Sequence, residues 1–333
     1  MASYITLTLD TLRPLLRPFA VGELLSIQPI PQGTTNSIFR LTTSLGRFAL
    51  VCHEARVSEA SIPFFLGLMR HLAAAGIPCP APLTPSHGEA LTFPVAGRPS
   101  VLLPWLDGHS PAAATPALLH QLGQLLAKIH LASSDYAPRL ASRYHRDLIA
   151  PLWAVSAPQA DQVLPGSHDV LQGLLDRGAD QPADDNLPRG AIHGDIFLDN
   201  LLVDEHGKIS GILDFNYACT DSWLYDLAMT INGCCWDDTA EAFSPTLTQA
   251  LLAGYESVRP LTKGQQGENS DERAALPPML IAALQPYLHT RLYDWITLPD
   301  DPNASRKTLQ AFWQRLQWAL GLDTAGWQHL LGF

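Results

Sequence analysis

A two-lobed α+β fold, with a small antiparallel sheet followed by a larger, mainly helical lobe, is predicted from three observations. Alternating apolar positions separated by glycine-bearing turns dominate the first hundred residues. Apolar residues at helical spacing dominate the remainder. One short hairpin, across residues 200–213, interrupts the helices. The lobe boundary is placed after Pro104, giving residues 1–104 and 105–333.

The chain opens with Asp10 or Thr11 as a helix cap before Leu12, Leu15, Leu16 and Phe19, which places Pro14 in the first turn, where a missing N–H costs little. Strands follow at Ile27, Ile30, residues 38–41 and residues 48–51, separated by Gly33 and Gly46. A helix is predicted over 62–75 from Phe65, Leu68, Met69 and Leu72, ended by Gly76 and Pro78. Two further strands are expected near 90–93 and 100–103. Leu118, Leu122, Leu125 and Ile129 mark a helix over 117–132, with His130 read as a packed or capping residue. Residues 156–188 have loose periodicity, expected to give one helix and a linker.

The chain has 333 residues, with 21 basic against 32 acidic, and this acidic balance argues against a nucleic-acid or anionic-membrane surface. No apolar run approaches the ~18 residues of a membrane span, and the N-terminus lacks a basic region followed by an apolar block. A cytoplasmic location is expected. The five cysteines lack metal-ligand spacing and are read as buried free thiols.

The hairpin carries the chemistry. Apolar runs at 200–203 and 209–213 flank the turn Asp204-Glu205-His206-Gly207-Lys208. A turn centred near Gly207 would set Asn200 and Asp214 opposite each other, where cross-strand neighbours are roughly 5 Å apart and can share one Mg²⁺. Asp195 lies five residues before Asn200, in a loop aimed at the same point. Asp, then Asn five residues on, then a hairpin and Asp-Phe, is the catalytic order of protein-kinase-like phosphotransferases. Asp195 would take the proton of the acceptor hydroxyl, while Asn200 and Asp214 hold Mg²⁺ against the phosphates of ATP. The triplet His145-Arg146-Asp147 is a decoy, because Leu152 stands where the Asn should be.

The nucleotide side is less marked. Residues 32–37 lie between two strands where a phosphate flap is expected, with Thr34, Thr35, Asn36 and Ser37 as donors. Val51 occupies the position of the usual third-strand lysine, so a cation such as Arg56 or Arg47 must substitute, or catalysis is lost. Glu59 is a candidate partner for that cation. The passage from strand to Gly-bearing turn at 101–108 makes Trp105 and Leu106 the adenine-facing hinge.

The chain resembles the homoserine kinases related to aminoglycoside and choline phosphotransferases, nearly end to end. The resemblance is carried by PFFLGLMRHLA from Pro63, AGRPSVLLPWLDG from Ala96, HGDIFLDN from His193, DFNYACTD from Asp214, GYESVRP from Gly254 and RLYDW from Arg291. It implies a nucleotide-binding first lobe and phosphorylation of the side-chain hydroxyl of L-homoserine by ATP, with Asp195 as base, His193 organising the loop, and Asn200 and Asp214 binding the metal. The family commonly has a small residue in place of the third-strand lysine. The chain departs from the family at Ala55, at Gln285-Pro286, which interrupts what is usually a basic-aromatic helix stretch, and at a polar insertion over 261–273. Homoserine carries a carboxylate and an ammonium, for which Arg291 and Asp221 are the respective candidates, with Asp294 a second acid. Asp226 is expected to accept backbone donors of the catalytic loop. Two alternatives stay open: a phosphotransferase of the same fold acting on choline, an aminoglycoside or a sugar, and a non-catalytic nucleotide-binding pseudokinase.

Overall fold

The computed structural model describes residues 5–30, 36–53, 58–142, 146–180, 187–262, 271–298 and 302–333, with backbone alone at 146–148, 178–180 and 302–307. The chain divides into two compact units. The first comprises Met1–Ser110, Tyr136–Leu140 and Asn200–Asn216, and the second comprises Pro111–Asp135, Ala141–Asp199 and Tyr217–Phe333.

In the first unit, helix α1 (Leu9–Leu16) is capped by Thr8, which exchanges hydrogen bonds with Thr11 in a capping box. This corrects the expected cap at Asp10 or Thr11. Starting at Leu9, the helix carries Pro14 beyond its first turn, where it forfeits one backbone bond.

Strands β1 (Leu24–Ile30), β2 (Asn36–Thr43), β3 (Gly46–His53), β4 (Phe93–Val95) and β5 (Arg98–Pro104) form an antiparallel sheet in the order β1-β2-β3-β5-β4. The fourth strand therefore begins where the predicted 90–93 segment ends. Phe39 pairs with Leu50, and Leu50 with Leu102, so the two-residue period aligns one apolar face. Phe39, Leu41, Leu50, Cys52 and Leu102 bury that face under Leu12 and Leu16 of α1. Val51 points to the other face, between Ile38 and Val101 in register.

Helix α2 (Ile62–Ala74) buries Phe65, Leu68, Met69 and Leu72, as its spacing predicts. It ends in a Schellman turn: Gly76 adopts φ +82° and donates to the Ala73 carbonyl, while Ile77 N donates to Leu72 O at 3.0 Å.

The second unit contains helices α3 (Pro116–Ala132), α4 (Arg146–Ser156), α5 (Ala160–Val163) and α6 (Ser167–Asp180), then strand β6 (Arg189–Ile192). Arg146 and Asp147 open α4, and His145 lies outside the described residues. The region expected to hold one helix holds two, α5 and α6, and residues 181–186 lie outside the description.

Between them in sequence, the first unit receives the hairpin β7 (Leu201–Val203) and β8 (Ile209–Ile212). The second unit continues with β9 (Cys219–Ser222), paired antiparallel to β6, and helices α7 (Trp223–Cys234), α8 (Pro245–Glu256), α9 (Glu272–Thr297), α10 (Pro302–Leu320) and α11 (Thr324–Leu331). Pro286 does not break α9, which runs through it for 26 residues. The Thr290 hydroxyl donates to the Pro286 carbonyl at 2.6 Å.

Helices α3 and α8 cross at two glycines. A Cβ on Gly123 would stand 2.0 Å from the Leu251 carbonyl oxygen, and one on Gly254 would stand 2.0 Å from the His120 carbonyl oxygen. All five cysteines are free and buried, and burial pushes the Cys79 and Cys235 thiols up to about 12. No described helix is long and apolar enough to cross a membrane.

Candidate active site

The loop after β6 is His193-Gly194-Asp195. Gly194 has φ +78°, and a Cβ there would approach the Tyr217 carbonyl oxygen to 2.8 Å, so the position requires glycine. Its backbone is anchored from α7. Asp226, fully buried in the first turn of that helix, accepts from Gly194 N at 2.8 Å and from His193 N at 2.9 Å. Asp226 thus accepts the loop backbone donors expected of it.

Behind Asp226 stands a buried polar chain that no local motif announces. His130 Nε2 lies 3.1 Å from Asp226 Oδ2, and His130 Nδ1 lies 2.8 Å from the Tyr255 hydroxyl. Arg259 donates to Tyr255 Oη at 3.1 Å and to both carboxylate oxygens of Glu272 at 3.0 Å. Glu272 also accepts from the backbone and hydroxyl of Thr262.

Burial pushes His130 down and outweighs the opposing pull of Asp226, so the ring is neutral. Burial alone would raise the Asp226 carboxyl. The His130 hydrogen bond and the Gly194 N–H outweigh this and hold it below the ordinary carboxylate range. An ionised Asp226 and a neutral imidazole assign the proton to Nε2, leaving Nδ1 to accept from Tyr255. Trp223 covers the assembly, stacked on His130 at 5.6 Å with Arg259 at 4.8 Å from its ring.

Asp195 follows on the same loop. Its N–H donates to His193 Nδ1 at 3.3 Å, and its Oδ1 accepts from the Tyr287 hydroxyl at 2.5 Å. Tyr287 lies on α9, stacked on Phe312 of α10 at 4.5 Å and 12°. Arg291, one turn further along α9, covers both rings, at 4.5 Å from Tyr287 and 4.8 Å from Phe312. The sequence names Arg291 but not Tyr287, whose partner Asp195 lies 92 residues away. Asp221 pairs with Arg189 at 3.1 Å across β6 and β9. Burial, and then the charges of Asp221, Cys219, Asp226 and Asp195, hold the Tyr225 phenol well above its ordinary range. Asn232 donates to the Leu280 carbonyl at 3.0 Å and ties α7 to α9.

The two predicted metal ligands belong to the first unit. Asp204 closes the hairpin turn by accepting from His206 N and Lys208 N at 2.9 Å. Leu201 pairs with Ile212 and Leu202 with Gly211, but Val203 pairs with Ile209, so Ser210 is an extra residue in a bulge. Asn200 therefore faces Leu213, whose N–H donates to its carbonyl at 2.8 Å, and Asp214 lies one residue beyond. This corrects the expected direct opposition of Asn200 and Asp214. Asp214 adopts φ +61°, an uncommon left-handed conformation, and its Oδ1 accepts from the Asn216 side chain at 2.6 Å.

Trp105 and Leu106, expected to face the adenine, share this unit. Trp105 N donates to Arg47 O at 3.1 Å, and Arg40 lies over the Trp105 ring at 5.6 Å. The segment after them docks on the hairpin through paired backbone bonds between His109 and Val203, and through Ser210 Oγ to the Asp107 carbonyl. Asn36 and Ser37 open β2 and are buried, whereas Thr34 and Thr35 lie outside the described residues, as does Arg56. Arg47 is engaged by Asp107 at 2.5 Å.

A looped Asp held by a buried helix Asp, followed by an Asn-hairpin-Asp on an antiparallel-sheet unit, defines a phosphotransferase of protein-kinase-like architecture. Solved structures share that fold. An aminoglycoside phosphotransferase from Alicyclobacillus acidocaldarius superposes with a TM-score of 0.65 at 17% identity over 99% of this chain and 96% of that one. A spectinomycin phosphotransferase in complex with ADP and spectinomycin gives 0.67 at 16% identity over 94% and 97%.

In sequence, residues 26–263 match the phosphotransferase enzyme family. The homoserine kinase of Gluconobacter oxydans is 38% identical over 318 residues, 95% of this chain and 98% of that protein. The homoserine kinase of Acidiphilium cryptum is 38% identical over 326 residues, 98% of each. The chain belongs to the phosphotransferase enzyme family, in its homoserine kinase branch.

Proposed function

We propose that the protein phosphorylates the side-chain hydroxyl of L-homoserine with ATP, giving O-phospho-L-homoserine and ADP in the cytoplasm. The observation that carries this reading is the footing of Asp195: its loop is pinned through two backbone N–H groups to an ionised, fully buried Asp226. A carboxylate so held can take the proton of an alcohol as the alcohol oxygen bonds to the γ-phosphorus and the bond to ADP breaks. His193 accepts the Asp195 N–H and fixes the approach of the loop.

Asn200 and Asp214 fit a magnesium site in donor type: an amide and a carboxylate oxygen at the open end of one hairpin, with Asp214 held in a conformation that needs local support. When bound, the ion would neutralise the charge of the ATP phosphates. Trp105 and Leu106 would receive the adenine, and Thr34, Thr35, Asn36 and Ser37 the phosphates. Asp221 remains a candidate for the ammonium, at the cost of sharing it with Arg189.

The test is turnover by the purified protein with ATP and Mg²⁺ on L-homoserine, L-serine, choline and an aminoglycoside. Transfer to homoserine is expected, and Asp195→Asn should lower it by ~10²–10⁴ with ATP binding kept. Transfer to none of the four would overturn the reading, and near-normal activity in the variant would remove Asp195 as the base.

A further inference from the structure

Arg47, Arg189, Arg259 and Arg273 each meet a carboxylate at 2.5 to 3.1 Å. Arg291 and Arg315 do not: no described carboxylate lies within 4.0 Å of either guanidinium. Both rest on aromatic faces instead. Arg291 lies over Tyr287 and Phe312, and Arg315 over Phe312 at 5.0 Å and Trp236 at 5.6 Å. Arg315 Nε is buried without a hydrogen-bond partner.

A guanidinium on a ring is stabilised by the π face while its N–H donors remain unspent. Two such cations on one phenylalanine repel each other; Asp238 offsets part of this at Arg315 from beyond 4.0 Å, and an anion between the two guanidiniums would relieve the rest. Tyr287 gives the cluster its address, since the ring that carries Arg291 ends in the hydroxyl bonded to Asp195 Oδ1.

We propose that Arg291 and Arg315, seated on Phe312 beside Tyr287, receive a carboxylate of the acceptor, so that the site selects hydroxy amino acids over amino alcohols that lack the carboxylate. The inference rests on the reading of Asp195 as the base, and adds the group that decides which alcohol reaches it. A hydroxyl three carbons from a carboxylate matches a ring that places a cation at its face and the base at its tip. Tyr287 is then a positioning residue, holding one oxygen of Asp195 so that the other faces the alcohol.

The test compares kcat/KM for L-homoserine with that for 3-aminopropan-1-ol, which keeps the amine and the alcohol but lacks the carboxylate. It also measures L-homoserine binding by calorimetry in the presence of a non-hydrolysable ATP analogue. The wild-type protein should prefer homoserine. Arg291→Gln should raise KM for homoserine about 10–100-fold and collapse the preference, with Arg291→Lys between the two. Arg315→Gln should act in the same direction, and Arg291, being less enclosed, decides if the Arg315 variant fails to fold.

Tyr287→Phe should lower kcat about tenfold while keeping the preference, because the ring under Arg291 remains. An unchanged preference in Arg291→Gln overturns the proposal, as does wild-type transfer to 3-aminopropan-1-ol at the homoserine rate, which would leave phosphoryl transfer itself standing. If no acceptor is turned over, the proposed reaction fails, and calorimetry still decides here: homoserine binding lost in Arg291→Gln supports the carboxylate site, and no binding in the wild type overturns it.

Discussion

Replacing Asp226 by Asn keeps size and shape but removes a charge on which three donors converge: Gly194 N at 2.8 Å, His193 N at 2.9 Å and His130 Nε2 at 3.1 Å. Whichever way the amide turns, its NH₂ faces at least one of them. The less costly choice puts NH₂ toward Gly194, leaving one buried N–H unpaired at about 1–3 kcal/mol and weakening two charge-assisted bonds by about 1 kcal/mol each. The expected loss is therefore about 3–5 kcal/mol, large against a typical stability of about 5–15 kcal/mol yet compatible with a folded protein. Urea unfolding followed by circular dichroism measures the loss, and kcat on the same samples should fall because the loop carrying Asp195 loses its footing. Combining the change with Tyr255→Phe should cost less than the sum of the two, since both act on His130. A loss under about 1 kcal/mol with normal kcat would show that the loop is not held by this carboxylate, and the reasoning from Asp226 to Asp195 would fail.

Two other buried imidazoles predict an acid limit. Burial pushes His53 and His289 from 6.5 down to about 4, and neither ring nitrogen of either has a hydrogen-bond partner. Above pH 6.5 they are neutral folded or unfolded; as pH falls from 6.5 toward 4 the unfolded chain binds protons that the folded chain refuses, so stability is lost on acidification. Each ring is worth roughly 3 kcal/mol over that window. Urea midpoints at pH 7, 6 and 5 should fall steadily, and His289→Leu should flatten the dependence; the same slope in that variant would refute the assignment. At the α3 and α8 crossing, Gly254→Ala would drive a methyl into the His120 carbonyl, with an expected cost of about 3 kcal/mol. A thermal melt within a degree of wild type would show that the helices separate at little cost.

What was legible in the sequence was local. Asp204 and Gly207 announce the hairpin turn, the two-residue period announces the sheet, and Asp195, Asn200 and Asp214 stand out by spacing. The errors lie where one residue shifts a frame. Thr8 caps α1 because its hydroxyl reaches Thr11, an exchange that a nearby Asp10 hides. The hairpin turn centres on His206, with Val203 opposite Ile209, one residue before the expected Gly207; the bulge at Ser210 makes up only part of that shift and leaves Asn200 opposite Leu213. Pro286 looks like a helix end but sits inside α9. Contacts distant in sequence were not legible. His130 meets Tyr255 from 125 residues away, and Tyr287 meets Asp195 from 92. Each is an ordinary aromatic or helical residue until the fold brings its partner.

The glycine crossing has a wider consequence. His130 lies two helical turns past Gly123, and Tyr255 directly follows Gly254, so main-chain atoms rather than side chains hold apart the two helices that bear them. A spacing fixed by peptide carbonyls does not drift as neighbouring apolar residues are exchanged over generations. On the proposed reading, α9 and α10 are thereby free to be remodelled for a different alcohol while the loop that carries Asp195 keeps its seat.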